Sequence, residues 1–287
     1  RAFLNQITSV KLDGKAFAKP EFINLEPLPP KHPAQGEALA TPFAIQVSKD
    51  DSTLVASAAG SDKVFTVDTN TGSVIGQVKV GAVPRGIALE SGREGNLLRA
   101  WVLNALANTV SLVDVSNPKK LKVEAVIPLE DPTHPAFKRG RIAFNKAAAS
   151  TTKTFSCASC HLPELHFSSP NPLAIGIQGQ LGKRHAPTLV NRTYGTSFFW
   201  DGRAKTLEDQ ALQPIENSLE LGFKVEGVLT RLRQDQQYDR LFQAAFPDGT
   251  TRTNLARALA SFQRVLLSGD TPVDRFLAGD FKALTDS

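Results

Sequence analysis

The 287-residue chain is 41% hydrophobic and 21% charged, the balance of a folded globular protein and not of a disordered one. Its net charge of +5 is modest for this length, and no Lys/Arg cluster accompanies a nucleic-acid-reading motif, which excludes a nucleic-acid binder. No run nears the roughly 18 consecutive apolar residues of a membrane helix, so no transmembrane segment is expected. Residue 1 is Arg, so the numbering is not expected to begin at a translation start.

Residues 1–40 hold the Pro-rich stretch Leu28-Pro29-Pro30-Lys31-His32-Pro33, which reads as loop. From Pro42 to about Pro132 the sequence reads as short strands and turns. Two segments align: Val64–Asp68 with Asn70-Thr71-Gly72 and Val78-Lys79-Val80, and Val110–Asp114 with Ser116-Asn117-Pro118 and Val123–Ile127. Their aspartates stand 46 positions apart, the period of a four-stranded propeller blade. Two units are too few to close a ring of about 4–8 blades. This part resembles YVTN-type propeller repeats, with Gly81-Ala82-Val83-Pro84-Arg85-Gly86-Ile87-Ala88 at the family's turn. A plain β-sandwich fragment is the alternative.

After about Pro135 the texture turns helical. Val225, Leu229 and Leu232 mark one helix; Leu241, Phe242 and Ala245 mark another, ended by Pro247-Asp248-Gly249. Thr253 is expected to cap a third, carrying Leu255, Leu259, Phe262 and Leu266 at helical spacing.

Cys157-Ala158-Ser159-Cys160-His161 is a haem-attachment motif. Two cysteines three positions apart reach the two vinyl groups of one haem, and the adjacent histidine falls under the iron. A zinc site needs further Cys or His ligands at matching spacing, and the chain has no third cysteine; a thioredoxin-like dithiol needs a βαβ context. The motif therefore implies one covalent haem c and export to the periplasm or cell surface. With no Met in the chain, a His–Met haem is impossible within it. Of the other histidines, His32, His134 and His166 read as bystanders. His185 is the best sixth-ligand candidate, although a structural loop histidine is the plainer reading.

From Lys138 onward, about 150 residues resemble the N-terminal, peroxidatic haem domain of bacterial dihaem cytochrome c peroxidases. The resemblance rests on Gly140–Phe144, Phe155–His161, Arg184–Asn191, Phe198–Arg203, Leu207–Gln210, Pro214–Glu220 and Asp270–Phe276. It implies that His161 ligates iron, that Glu220 and Gln210 occupy the distal pocket with Phe199 in its wall, and that Trp200 carries electrons between haems. Arg184 is implied in cofactor binding.

The implied activity is reduction of hydrogen peroxide with electrons from a small redox protein, or use of a ferryl state to oxidise a partner protein. Three departures accompany it. Ile177 stands where many relatives carry a distal His, so an open or water-bound haem is expected; His185 replaces an Asn that helps hold calcium, which speaks against calcium; and a second Cys-x-x-Cys-His is missing, as in part of a larger polypeptide whose remainder carries a second haem.

The expected architecture is propeller-like antiparallel sheet units over residues 1–132, then an all-α, loop-rich c-type cytochrome domain over 133–287. A non-enzymatic electron-transfer cytochrome with a propeller docking domain is the alternative function. A third reading is a surface binding protein with a vestigial haem domain.

Overall fold

The computed structural model describes residues 4–11, 19–28, 31–34, 36–130 and 135–284. His134, Pro29 and Pro30, and the expected boundary at 132/133, lie outside them. A hairpin of β1 (Gln6–Ser9) and β2 (Glu21–Asn24) precedes two four-stranded antiparallel sheets. The first holds β3 (Pro42–Val47), β4 (Thr53–Ala58), β5 (Lys63–Asp68) and β6 (Ser73–Lys79) in chain order. The second holds β7 (Pro84–Ser91), β8 (Leu97–Asn104), β9 (Thr109–Asp114) and β10 (Lys122–Pro128). Each is a meander, the topology of one propeller blade.

The aligned aspartates end β5 and β9 and perform one local task. Asp68 Oδ1 accepts the N–H groups of Asn70 and Thr71, and Asp114 Oδ1 accepts that of Ser116. A short carboxylate at this position closes the turn that launches the next strand.

Alternation along the strands sends two apolar sets to opposite faces. Val55 and Val64 of the first sheet meet Ala100, Val102 and Val113 of the second in one core. Ala56, Ala58, Phe65 and Val67 point the other way and are covered by Leu25, Leu39 and the hairpin residues Ile7 and Ile23. Close approach is needed where the sheets pack: a Cβ on Gly76 would fall 2.3 Å from the Pro118 carbonyl oxygen.

The helical part contains α1 (Pro135–Asn145), the single turn α2 (Cys157–Cys160), α3 (Leu207–Glu216), α4 (Val225–Gln234), α5 (Gln236–Gln243), α6 (Arg252–Arg264) and α7 (Pro272–Leu277), separated by long loops. The expected cap at Thr253 is corrected: Thr251 caps α6, its side chain accepting the Asn254 N–H at 3.2 Å. The Asn254 amide also donates to Asp248 and to the Gly249 carbonyl, which pulls the helix start back. Leu266 lies past the end of α6 at Arg264.

The core of this part joins Ile142 and Phe144 of α1, Leu212 and Ile215 of α3, Val228 and Leu232 of α4, and Leu255, Leu259 and Phe262 of α6. Ala82, from the loop before β7, belongs to the same core, so sheets and helices share buried apolar surface. Arg264 clasps Glu208 of α3 with two parallel bonds of 2.7 and 2.8 Å, fixing α3 against α6.

Candidate haem site

The chain from Ser156 turns once through α2 and presents His161 at its C-terminal end, where the His161 N–H donates to the Cys157 carbonyl at 2.9 Å. One helical turn is what brings both cysteines and the histidine to the same wall. The His161 Nδ1 lies 2.9 Å from the Phe167 carbonyl oxygen. A carbonyl only accepts, so Nδ1 carries the proton and Nε2 keeps its lone pair for a metal. Burial lowers the proton affinity of the imidazole, against the backbone contacts that raise it, and the neutral ligand form is favoured. Burial likewise pushes the Cys157 and Cys160 thiols up to about 12. Phe144 packs against the imidazole with ring centroids 6.3 Å apart, and Phe144, Phe167 and Phe262 pack against one another at 5.2–6.1 Å.

In front of His161 opens a cavity of about 790 Å³, within the size range of cofactor sites. Cys157, Cys160, His161, Arg184, Phe199, Trp200, Gln210 and Glu220, the residues to which the motif and the resemblance give a site role, all line it. The donor set fits a covalently bound haem: two thiols and an imidazole whose Nδ1 is held by a backbone carbonyl share one large, mostly apolar cavity.

Helix α3 supplies Gln210. Thr206 caps it by accepting the Asp209 N–H at 3.0 Å, and Pro214 inside it cannot donate to the Gln210 carbonyl. Glu220 follows in the loop after α3. Burial raises its proton affinity, while a hydrogen bond from Asn217 and the charge of Arg203 act against that rise. The rim is formed by the segment around Trp200. Phe199 has φ 66°, and the Arg203 guanidinium lies 3.5 Å over its ring. Asp201 holds both Arg184 and Arg203 at 3.0 Å. Trp200 is 63% exposed, its indole N–H donating to the His185 carbonyl at 3.0 Å.

His185 does not face the cavity as a free ligand: Nδ1 lies 2.8 Å from the Asn171 carbonyl oxygen and Nε2 3.1 Å from the Ser168 hydroxyl. Ile177 is buried in the helical core, its N–H donating to the Glu220 carbonyl at 2.9 Å. Among the cavity residues without a role in the sequence reading, two stand out for their contacts. Arg203 and Asn217 both lie inside motif stretches, but nothing local announces that they meet Phe199 and Glu220.

Several known proteins are similar to this chain. The "Methylamine utilization protein MauG" of Methylophilus methylotrophus is 34% identical over 186 residues, 63% of this chain and 56% of that protein. The "Cytochrome c peroxidase Ccp" of Escherichia coli K12 is 31% identical over 188 residues, 65% of this chain and 40% of that one. The crystal structure of a MauG-like protein associated with microbial copper homeostasis aligns at 29% identity and a TM-score of 0.49, over 54% of this chain and 46% of that one. The chain thus spans about half the length of the curated relatives it matches. The model of the family "Di-haem cytochrome c peroxidase" matches residues 134–282, and the chain belongs to that family.

Proposed function

We propose that this chain is the peroxide-reacting haem unit of a c-type peroxidase. The observation that carries the reading is that Glu220 and Gln210 line the same cavity as Cys157, Cys160 and His161. Reduction of hydrogen peroxide consumes two electrons and two protons and yields two waters. The haem, when bound, supplies the redox chemistry. His161 would be its proximal ligand, with Nδ1–H locked on Phe167 to hold the ring orientation. Glu220 takes the proton from one peroxide oxygen and returns it to the other, which leaves as water. Gln210 orients the peroxide without changing charge. Phe199 walls the cavity, Arg184 binds at its rim, and the exposed indole of Trp200 passes electrons inward.

Two cysteines allow one covalent haem in these residues, so a second haem of the di-haem family would be carried by other polypeptide. The electrons come from a small redox protein, for which the net charge of +5 favours an acidic surface. Oxidation of a partner protein is the same chemistry with that partner as donor. Covalent attachment of haem is made outside the cytoplasm, which supports a periplasmic or cell-surface location for this chain; among the described residues no helix is long and apolar enough to cross a membrane.

The test is turnover of the haem-loaded protein with hydrogen peroxide and a reduced cytochrome, alongside Glu220→Gln. The expected result is peroxide consumption by the wild type and a loss of about 10²-fold or more in the variant. A low-spin ferric spectrum unchanged by peroxide would instead assign a pure electron-transfer cytochrome.

A further inference from the structure

The two carboxylate oxygens of Glu220 are not equivalent. Oε1 accepts a hydrogen bond from Asn217 Nδ2 at 2.6 Å, whereas Oε2 has no hydrogen-bond partner among the described residues. The orientation of the Asn217 amide is itself determined, because its Oδ1 accepts the Leu219 N–H at 3.0 Å. Oxygen faces the backbone donor, and the NH₂ group must therefore face Glu220.

The backbone around this pair is gripped from both sides. The Asn217 carbonyl accepts the N–H groups of Glu220 at 3.0 Å and Gly222 at 2.9 Å, and the Glu220 carbonyl accepts that of Ile177 at 2.9 Å. Gly176 presses so closely that a Cβ there would lie 1.9 Å from the Leu219 carbonyl oxygen. Main chain fixes where Glu220 starts, and one amide fixes where its carboxylate ends.

We propose that Asn217 is the positioning residue for Glu220, holding Oε1 so that Oε2 is the oxygen that takes and returns the proton. The physical reason is that a proton on Oε1 would compete with the amide N–H already donating there, whereas Oε2 has both lone pairs available. The same bond stabilises the carboxylate over the acid. The other charged or titratable groups facing this carboxyl are Arg203 at the rim and, in the haem-free chain, the thiols of Cys157 and Cys160. Neither the guanidinium nor the thiols occupy the place of Asn217. The assignment rests on the peroxidase reading for what the proton is used for, but not for which oxygen holds it.

The experiment uses the haem-loaded protein and two readouts. The first is the pH dependence of the rate of reaction with hydrogen peroxide. The second is an infrared titration, without peroxide, of the protonated-carboxyl band that Glu220→Gln removes. Asn217→Ala is expected to raise both midpoints by about one pH unit, a tenfold gain in proton affinity. Asn217→Asp keeps an oxygen for the Leu219 N–H and removes the donor, and it should raise them at least as far. Should Asn217→Ala fail to fold, Asn217→Asp carries the test alone. If the infrared midpoint stays in place in the folded variants, Asn217 is a loop brace only and the proposal is overturned. If the wild type ignores peroxide but the infrared midpoint moves, the peroxidase reading fails while the assignment of the oxygens stands.

Discussion

The ammonium group of Lys146, just past the end of α1, reaches Asp62 of the first sheet's β4–β5 loop at 2.8 Å. The same nitrogen contacts Asp235 between α4 and α5 at 2.6 Å, and Lys79 reaches Asp235 from β6 at 3.1 Å. Lys146 also lies 5.5 Å from the centroid of the buried Tyr238 ring, and the neighbouring Ala147 N–H donates to the Gly60 carbonyl at 2.9 Å. One largely buried cation thus ties the sheet to the helical part that holds the candidate haem cavity. Burial opposes the charge on Lys146, but two carboxylates outweigh it and raise its proton affinity well above the ordinary lysine value.

Lys146→Met is expected to cost about 3–5 kcal/mol, because it leaves two nearby carboxylates without their shared cation. Urea denaturation followed separately at the sheets and at the helices would measure it. The wild type should unfold in one transition. A variant as stable as the wild type would show that the network contributes nothing.

Acid should weaken the same junction. Burial opposes ionisation of Asp235, but Lys146 and Lys79 overcome it and hold the carboxyl at about 2. An unfolded aspartate titrates near 3.9, so the folded value is depressed. The resulting stability is fully present above about pH 4 and is lost as pH falls toward about 2. Below pH 4 the wild type should therefore lose stability more steeply than Asp235→Asn, in parallel denaturation series over pH 2–6. Equal slopes would contradict the assignment.

Helices α1 and α6 cross at Gly140, where a Cβ would fall 1.8 Å from the Ala258 carbonyl oxygen and 2.8 Å from Phe262 Cβ. Alanine usually gains roughly 1 kcal/mol over glycine inside a helix. Here overpacking against backbone should reverse the sign, with Gly140→Ala losing about 1–3 kcal/mol net. Thermal unfolding of variant and wild type would decide it, and a rise in Tm would show that the helices can part at little cost.

The haem motif and the turn aspartates were legible because their chemistry is local. Three positions suffice to put two thiols and an imidazole on one helical turn, and an Asp at a strand end bonds its own next residues whatever the rest of the chain does. The start of α6 was misplaced because Thr251 and Thr253 cap equally well on paper. What separates them is the grip of Asn254 on Asp248 and Gly249, which only the folded loop supplies.

Sequence by itself thus determined the candidate haem-attachment motif, the sheet-then-helix order and the family motifs. Tertiary structure alone decided that Lys146 locks the first sheet to the helices, that both nitrogens of His185 are engaged, and that Asn217 holds one oxygen of Glu220. The physical reason is range. A cap, a turn or a Cys-x-x-Cys-His segment is stabilised within a few residues. A buried charge, a histidine's second partner and a carboxylate's free oxygen depend on groups brought from elsewhere, and no local pattern encodes their arrival.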